Sequence, residues 1–187
     1  MKITEIPEKR FRTTHRRDRS GRLIRGREEY TTLRKVNTVD GGTRFGHFMA
    51  DSFLIQLFYF ISSMLLLPLL LFLQESENML LAICVQLITI CIYPFYYFIF
   101  ESTRQQTPGK MLTKSIVIDQ WGNKPTDKQI LLRSLIRLVP FEAFSCLAED
   151  GRGWHDRWTD TFVVSKKEHE TLMVLIAAEK EKSEEAK

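Results

Sequence analysis

Three ionisable residues, Arg44, His47 and Asp51, stand at the start of a long apolar segment that reads GTRFGHFMADSFLIQLF over residues 42–58. Their spacing of three and then four residues places all three side chains on one face of a helix. The helix rises about 10 Å between Arg44 and Asp51, so in a membrane Arg44 would lie near the headgroups and Asp51 at the edge of the hydrocarbon. An unpaired carboxylate at that depth is costly. Asp51 therefore requires a cationic partner, a proton or water.

We predict that the partner of Asp51 is an arginine from a later segment. Arg133 and Arg137 are four residues apart and share one face of a helix, and a planar guanidinium can hold a carboxylate through two hydrogen bonds. Arg44 is almost two helical turns from Asp51, and we expect it to pair instead with Asp156 of the C-terminal segment. In one interpretation these ion pairs only hold the segments together, since buried pairs often specify geometry while adding little stability.

The second interpretation is a site for an ion or a proton. His47, Asp51, His155 and Asp156 would form a small titratable cluster, and a carboxylate within a membrane is a candidate functional group. A metal site built from these residues is a further alternative, but their spacings match no known metal-ligand motif, so we expect neither a metal nor a cofactor. The sequence also has no nucleophile elbow, no paired catalytic carboxylates and no cofactor fingerprint, and we expect no enzymatic activity.

Two uncharged runs, residues 53–73 and 79–100, determine the predicted fold class. About 20 apolar residues in a helix match the thickness of the hydrocarbon core of a bilayer. We predict an α-helical membrane protein with two transmembrane helices, at about 45–73 and 79–100. An amphipathic or partly embedded third helix, flanked by two short β-strands, completes the predicted fold.

The charges around the two runs predict their orientation. The connecting segment QESEN, residues 74–78, has two glutamates and no basic residue, whereas the first 43 residues carry 12 Lys and Arg against 6 Asp and Glu. Basic flanks stay in the cytoplasm. We predict a multi-pass protein of the cell membrane, the inner membrane if the source is bacterial, with the N- and C-termini in the cytoplasm.

The third helix is predicted over about residues 126–147, with Thr126 as its N-cap. It either spans the membrane with its arginines facing other helices, or lies at the cytoplasmic interface with its arginines at headgroup level. Arginine at the middle of a bilayer is costly, which favours the interfacial position. The β-branched runs at 115–119 and 161–165 flank this helix, and we predict that they pair with each other.

The chain divides into a basic N-terminal arm, residues 1–43, a membrane domain, residues 44–165, and a charged helical tail, residues 166–187, that we expect to be solvated. The positive charge of the arm favours contact with the anionic headgroups of a lipid bilayer. The alternative is a β-hairpin that turns at residues 19–22 between mixed polar strands. The arm lacks the interleaved aromatic residues of a nucleic-acid-binding segment, so we expect no nucleic acid partner.

Two tryptophans and one lysine complete the set of candidate residues. Trp154 and Trp158 stand at helical spacing, and we predict that they anchor the chain at the membrane interface. Lys110 follows Gly109 but the rest of a phosphate-binding loop is missing, so we expect a headgroup contact or a turn residue.

These motifs together resemble the RDD family of small multi-pass membrane proteins, which is named for one arginine and two aspartates. The arginine at the start of the first membrane helix and the aspartate seven residues later are matched by Arg44 and Asp51, and the second aspartate by Asp156. The family's T-x-G-K element, its strand ending in Asp before a Gly, its arginine-bearing helix and its HD pair are matched by Thr107, Gly109, Lys110, Asp119, Gly122, Arg133, Arg137 and His155. The resemblance covers residues 44–165. One departure is Asp160, which stands where the family commonly has a small residue such as glycine.

The resemblance implies more about the fold than about the function. The family is described as having an unknown molecular function, with involvement in transport suggested. We therefore expect an integral membrane protein that takes part in the transport of ions or small solutes. Two spans enclose no pathway alone, so we expect a homo-oligomer or a membrane protein partner. The alternative is a non-catalytic anchor or assembly protein of a larger membrane complex.

Overall fold

Helices and two small antiparallel sheets make up the computed structural model, which describes residues 1–17, 23–74, 79–148 and 151–185. The elements follow in the order β1 (Pro7–Arg17), β2 (Leu23–Leu33), α1 (Gly41–Gln74), α2 (Met79–Arg104), α3 (Pro108–Leu112), β3 (Ser115–Asp119), α4 (Asp127–Ile136), α5 (Glu142–Ser145), α6 (Trp154–Arg157), β4 (Thr161–Ser165) and α7 (Lys166–Glu185).

The predicted pair of transmembrane helices is contradicted by the structure. Within the described residues, no helix is both long enough and apolar enough to cross a bilayer. Helices α1 and α2 cover the two uncharged runs, but each also extends into a segment with buried charge. Helix α1 begins at Gly41 and contains the buried Arg44, while α2 ends at Arg104 and contains the buried Glu101. Residues 75–78 of the predicted outer loop lie outside the described residues.

The predicted pairing of the two short strands is confirmed. Strands β3 and β4 are antiparallel, with a register that runs from Ser115 opposite Ser165 to Asp119 opposite Thr161. One face of this ribbon belongs to the hydrophobic core of the protein, which also receives side chains from the N-terminal residues and α7. The core consists of Ile3, Ile6, Val36, Ile116, Ile118, Phe162, Val164, Leu172 and Ile176. The opposite face carries Val117 and Val163, because side chains alternate along a strand.

The predicted third helix over 126–147 is wrong as one continuous element. Helix α4 starts as predicted, since Thr126 forms a capping box with Gln129, but it ends at Ile136. The chain then turns, with Pro140 followed by Phe141 in the left-handed conformation at a φ of 66°, and the single turn of α5 follows. A proline in a helix interior removes a backbone hydrogen bond and clashes with the preceding turn, which explains the break.

The basic N-terminal arm folds as the hairpin alternative. Strands β1 and β2 pair from Pro7 opposite Leu33 to Arg17 opposite Leu23, and the turn predicted at 19–22 lies outside the described residues. Both ends of the hairpin are fixed to the protein, because Ile3 and Ile6 before β1 and Val36 after β2 lie in the core.

The C-terminal tail is helical, as α7, but the expectation that it is solvated throughout is wrong. Leu172 and Ile176 are buried in the hydrophobic core. They are four residues apart and therefore lie on one face of the helix. Near its start, Glu168 accepts a hydrogen bond from Arg34, whose Nη2 lies 3.1 Å from the carboxylate.

Candidate functional site

A buried cluster of charged residues lies where five helices meet on the Val117–Val163 side of the small sheet. Helices α1, α2, α3, α4 and α6 each contribute to it. Its buried ion-paired members are Arg44, Glu101, Lys110, Arg133, Arg137 and Asp156. We refer to these six residues as the ionic cluster.

Glu101, at the C-terminal end of α2, is the central carboxylate of the ionic cluster. It accepts hydrogen bonds from Lys110 Nζ at 2.5 Å, from Arg133 Nε at 3.0 Å and from Arg137 Nη2 at 3.3 Å. Burial by itself raises the pKa of Glu101, but the three cations outweigh it and hold the pKa well below its usual range. Sequence reasoning missed this residue, although it is the first charge after an uncharged run.

The predicted pair of Arg44 and Asp156 is present. Arg44 Nη1 donates to Asp156 Oδ2, and Arg133 Nη1 donates to Asp156 Oδ1 at 2.5 Å. Arg133 thus bridges Glu101 and Asp156, and its side chain is fully buried. Arg133 and Arg137 find their carboxylate partner inside the protein, where both bind Glu101, and not among lipid headgroups as the interfacial helix predicts.

The predicted pairing of Asp51 with an arginine is wrong. Asp51 is 1% exposed and accepts three hydrogen bonds from neutral donors. Thr107 Oγ1 lies 2.6 Å from Oδ2, while the Gly109 amide and Tyr96 Oη lie 2.8 Å and 3.0 Å from Oδ1. These three donors satisfy the buried carboxyl oxygens without a cation.

This arrangement explains the spacing of the T-x-G-K element. Thr107 is the N-cap of α3 and binds Asp51, and Lys110 reaches Glu101 from the same short helix. Gly109 is required by close approach, since a Cβ there would lie 2.6 Å from the carbonyl oxygen of His47. The expectation that Lys110 is a headgroup contact or turn residue is wrong, because its ammonium is buried in an ion pair.

Two further positions of the motif shape turns away from the ionic cluster. The Asp119 carboxylate accepts from the amides of Trp121 and Asn123, both at 2.8 Å, and Gly122 has a φ of 82°. Asp160 has a φ of 51°, in the left-handed region where glycine is favoured and aspartate is tolerated. The backbone conformation therefore explains why glycine is common at this position in the family and why aspartate can replace it.

His155 and Glu142 form a second buried pair beside the ionic cluster. Arg137 Nη2 lies 3.3 Å from His155 Nε2, and a guanidinium can only donate, so Nε2 is the acceptor of this hydrogen bond. The ring proton is therefore on Nδ1, which donates it to Glu142. Burial lowers the pKa of His155 to about 4, so the ring is neutral at neutral pH. Burial raises the pKa of Glu142, but the hydrogen bond from His155 outweighs it and brings the pKa to about 2.

A cavity of about 20 Å³ lies between the start of α1 and the His155 pair. Its walls include Arg44, His47, Asp51, Lys110, Arg137, Glu142, Cys146 and His155. Among the described residues, no partner is found for Arg44 Nε and Nη2, His47 Nδ1 or Arg137 Nε. This volume is about that needed for one water molecule or one small ion.

The cavity brings together only part of the predicted titratable set. His47, Asp51 and His155 line it, whereas Asp156 is fully buried behind Arg44 and Arg133. The Nε2 atom of His47 lies 2.5 Å from Thr113 Oγ1.

Two other groups near the site bear on its chemistry. Trp154 and Trp158 stack with ring centroids 6.1 Å apart, and Trp158 is 62% exposed, so their role as interfacial anchors stays a prediction. Among the described residues, Glu142, Cys146 and His155 form a group whose potential metal-ligand atoms lie within 4.8 Å of one another.

Comparison with known proteins identifies the family. A family model described as "RDD family" matches residues 39–165, which is more than half of the chain. No curated protein and no solved structure matches the chain. RDD family proteins are generally membrane-associated and of unknown function, which supports a membrane location for this protein. The family match and the motif residues gathered around Asp51, Glu101 and Asp156 lead to one conclusion: the chain belongs to the RDD family.

Proposed function

We propose that this protein takes part in the transport of a proton or a small ion, and that the cavity beside Asp51 is where that ion binds. The observation that carries the proposal is a cavity lined by ionisable side chains, with buried nitrogen atoms of Arg44 and His47 left without a described partner. A buried polar atom without a partner is costly and is commonly satisfied by water or an ion.

The volume of the cavity favours an ion or a proton over a larger solute. Its 20 Å³ accommodates about one water molecule. A sugar or an amino acid requires a pocket of some 300 Å³ or more. Of the two ligand classes expected from the sequence, ions and small solutes, we therefore propose the first.

A cavity of this size is not a pathway, so we propose that a second copy or a membrane partner completes one. Large apolar side chains are exposed along the described parts of α1 and α2, including Phe53, Phe58, Phe60, Leu80 and Leu87. Apolar surface of this kind favours contact with lipid or with another apolar helix.

Ion flux through vesicles containing the purified protein tests the proposal, with Asp51→Asn as the variant. The asparagine oxygen can keep the donors from Gly109 and Tyr96, and its amide can donate to Thr107, whose hydroxyl rotates to accept. The fold is thus preserved while the negative charge is lost. We expect flux driven by a pH or salt gradient to fall at least tenfold.

The matched control is Asp160→Asn, which makes the same chemical change at an exposed position whose positive φ an asparagine adopts readily. This variant should keep the wild-type flux. Equal flux in wild-type and Asp51→Asn vesicles, with equal melting temperatures, would refute a role of Asp51 in ion binding.

The exposed hairpin favours a second candidate, the anchoring or assembly of a larger membrane complex. Strands β1 and β2 form a ribbon with exposed Phe11, Tyr30 and Leu33, and the outer edges of its strands can accept another strand. Arg10 and Arg27 are exposed on the same ribbon and suit anionic headgroups or an acidic partner.

A further inference from the structure

We propose that Glu142, Cys146 and His155 form a binding site for a divalent transition metal of the zinc class. The site lies at one end of the cavity, and the inference does not depend on the proposed role in transport. The thiol sulfur, a carboxylate oxygen and a ring nitrogen of these residues lie within 4.8 Å of one another, and all three residues are buried.

Local structure places the three ligands together. Glu142 begins α5 and Cys146 follows four residues later, so their side chains leave the same side of the turn. His155 comes from α6, just after Gly153. A Cβ at Gly153 would lie 2.7 Å from Cys146 Sγ and 3.0 Å from Glu142 Oε1, so only glycine leaves the space between these ligands open.

The distances suit a tetrahedral metal after a small contraction. Zinc binds sulfur at about 2.3 Å and nitrogen or oxygen at about 2.0–2.2 Å, which places neighbouring ligand atoms roughly 3.3–3.8 Å apart. The observed upper separation of 4.8 Å requires a movement of about 1 Å, within reach of side-chain rotation.

The chemistry of the ligands selects the metal. Thiolate and imidazole favour zinc, cobalt or copper, whereas calcium and magnesium prefer oxygen ligands alone. Three protein ligands leave a fourth position free, and the adjoining cavity of about 20 Å³ can hold one water molecule there.

The protonation states also balance. Glu142 is ionised, and because burial raises the pKa of the Cys146 thiol, the metal itself would have to displace the thiol proton to solvent as it binds. His155 would move its proton from Nδ1 to Nε2 to free Nδ1 for the metal, and Arg137 Nη2, which now donates to Nε2, would then keep only its hydrogen bond to Glu101. His155 Nε2 lies 3.4 Å from Asp156 Oδ1, which can accept that proton in a hydrogen bond. A carboxylate behind a metal-bound histidine is the usual second contact at such sites. One thiolate and one carboxylate neutralise the divalent charge, so Arg137 and Arg44 do not exclude it.

Cobalt titration of the full-length protein, with any affinity tag removed, tests the site. The background is Cys84→Ser/Cys91→Ser, which removes the two exposed cysteines and leaves Cys146 as the remaining thiol. We expect one equivalent of Co²⁺ to bind, with a sulfur-to-cobalt charge-transfer band in the near ultraviolet. Zinc should displace the cobalt and remove the band.

Substitution of the proposed ligand supplies the decisive comparison. Adding Cys146→Ser to the background should abolish the band and weaken Zn²⁺ binding by about 100-fold or more. Gly153→Ala should weaken binding as well, because its methyl group fills the space between the ligands. Melting temperatures recorded without metal identify variants that fail to fold.

Two results would overturn the metal site. One is a folded background variant that gives no charge-transfer band with Co²⁺, and the other is a band that survives Cys146→Ser. Flux measurements made in EDTA keep the two proposals separate, since a loss of metal binding then leaves the Asp51 prediction unaffected.

Discussion

At the level of single residues, the site is a balanced set of buried charges and hydrogen bonds. The cations Arg44, Lys110, Arg133 and Arg137 pair with Glu101 and Asp156, whereas Asp51 and Glu142 accept hydrogen bonds from neutral donors. Buried charges are tolerated when they are paired and hydrogen-bonded, and removing one partner typically costs about 3–5 kcal/mol. We therefore expect these residues to maintain the geometry of the cavity as well as its polarity.

The neutral state of His155 leads to a prediction about pH. Its pKa is about 4 in the folded protein, against 6.5 as the ordinary value. Below pH 6.5 the unfolded chain takes up a proton that the folded chain does not, so stability is full above pH 6.5 and falls towards pH 4. A shift of this size corresponds to about 3 kcal/mol.

The variant His155→Asn isolates this contribution, because asparagine still donates to Glu142 but does not titrate. Chemical unfolding at several pH values should show a smaller loss between pH 6.5 and 4 in the variant than in the wild type. His15→Asn, on the exposed hairpin, is the control and should keep the wild-type dependence. Identical slopes for His155→Asn and wild type would contradict the neutral, buried state of His155.

At the level of elements, the five-residue helix α3 connects α1 to the ionic cluster. Its N-cap Thr107 and the Gly109 amide bind Asp51 on α1, and its Lys110 binds Glu101 on α2. The helix can pack this closely because Gly109 has no Cβ to separate it from the carbonyl oxygen of His47.

The variant Gly109→Ala should disrupt this contact. Its Cβ would lie 2.6 Å from the His47 carbonyl oxygen and 2.9 Å from Asp51 Oδ1, and backbone atoms cannot move aside easily. We expect the free energy of unfolding to fall by about 2–3 kcal/mol. Denaturant titration in detergent measures the change.

Gly46→Ala provides the comparison on α1 itself. Gly46 is exposed and has nothing within 4 Å of an added Cβ. Alanine in a helix interior is favoured over glycine, so this variant should be more stable by up to about 1 kcal/mol. If both variants gave the same change, the close approach of α3 to α1 would be refuted.

At the level of the whole molecule, the chain combines a polar interior with exposed surfaces suited to other molecules. The small sheet separates the hydrophobic core on one side from the ionic cluster and cavity on the other. The hairpin of β1 and β2 joins this body through its base, where Ile6 and Val36 lie in the core.

Removing the hairpin tests whether it recruits a partner. Pro7 and Leu33 are opposite each other in the ladder, so replacing residues 8–32 with Asn-Gly closes the chain and keeps the core residues in place. If the hairpin assembles a membrane complex, crosslinking in native membranes should recover a fixed partner with the wild type and lose it with the deletion. A partner retained by the folded deletion variant would exclude the hairpin as the interface.

Much of the local structure follows from the sequence by itself. The β-branched runs at 115–119 and 161–165 form the predicted strands, and Thr126 caps α4 as expected. The family was also recognisable, because its residues keep their order and spacing. These features depend on neighbouring residues or on a linear pattern, so they can be identified without knowledge of the fold.

The partners inside the site were decided by the tertiary structure. Opposite charge predicted an arginine for Asp51, but the fold supplies a hydroxyl, an amide and a phenol, while Arg133 and Arg137 bind Glu101. The predictions of a continuous third helix and of two membrane spans were also wrong. Charge and hydropathy patterns show what a side chain requires, but only the packing of distant segments determines which donor reaches it, because a hydrogen bond forms only within about 3 Å.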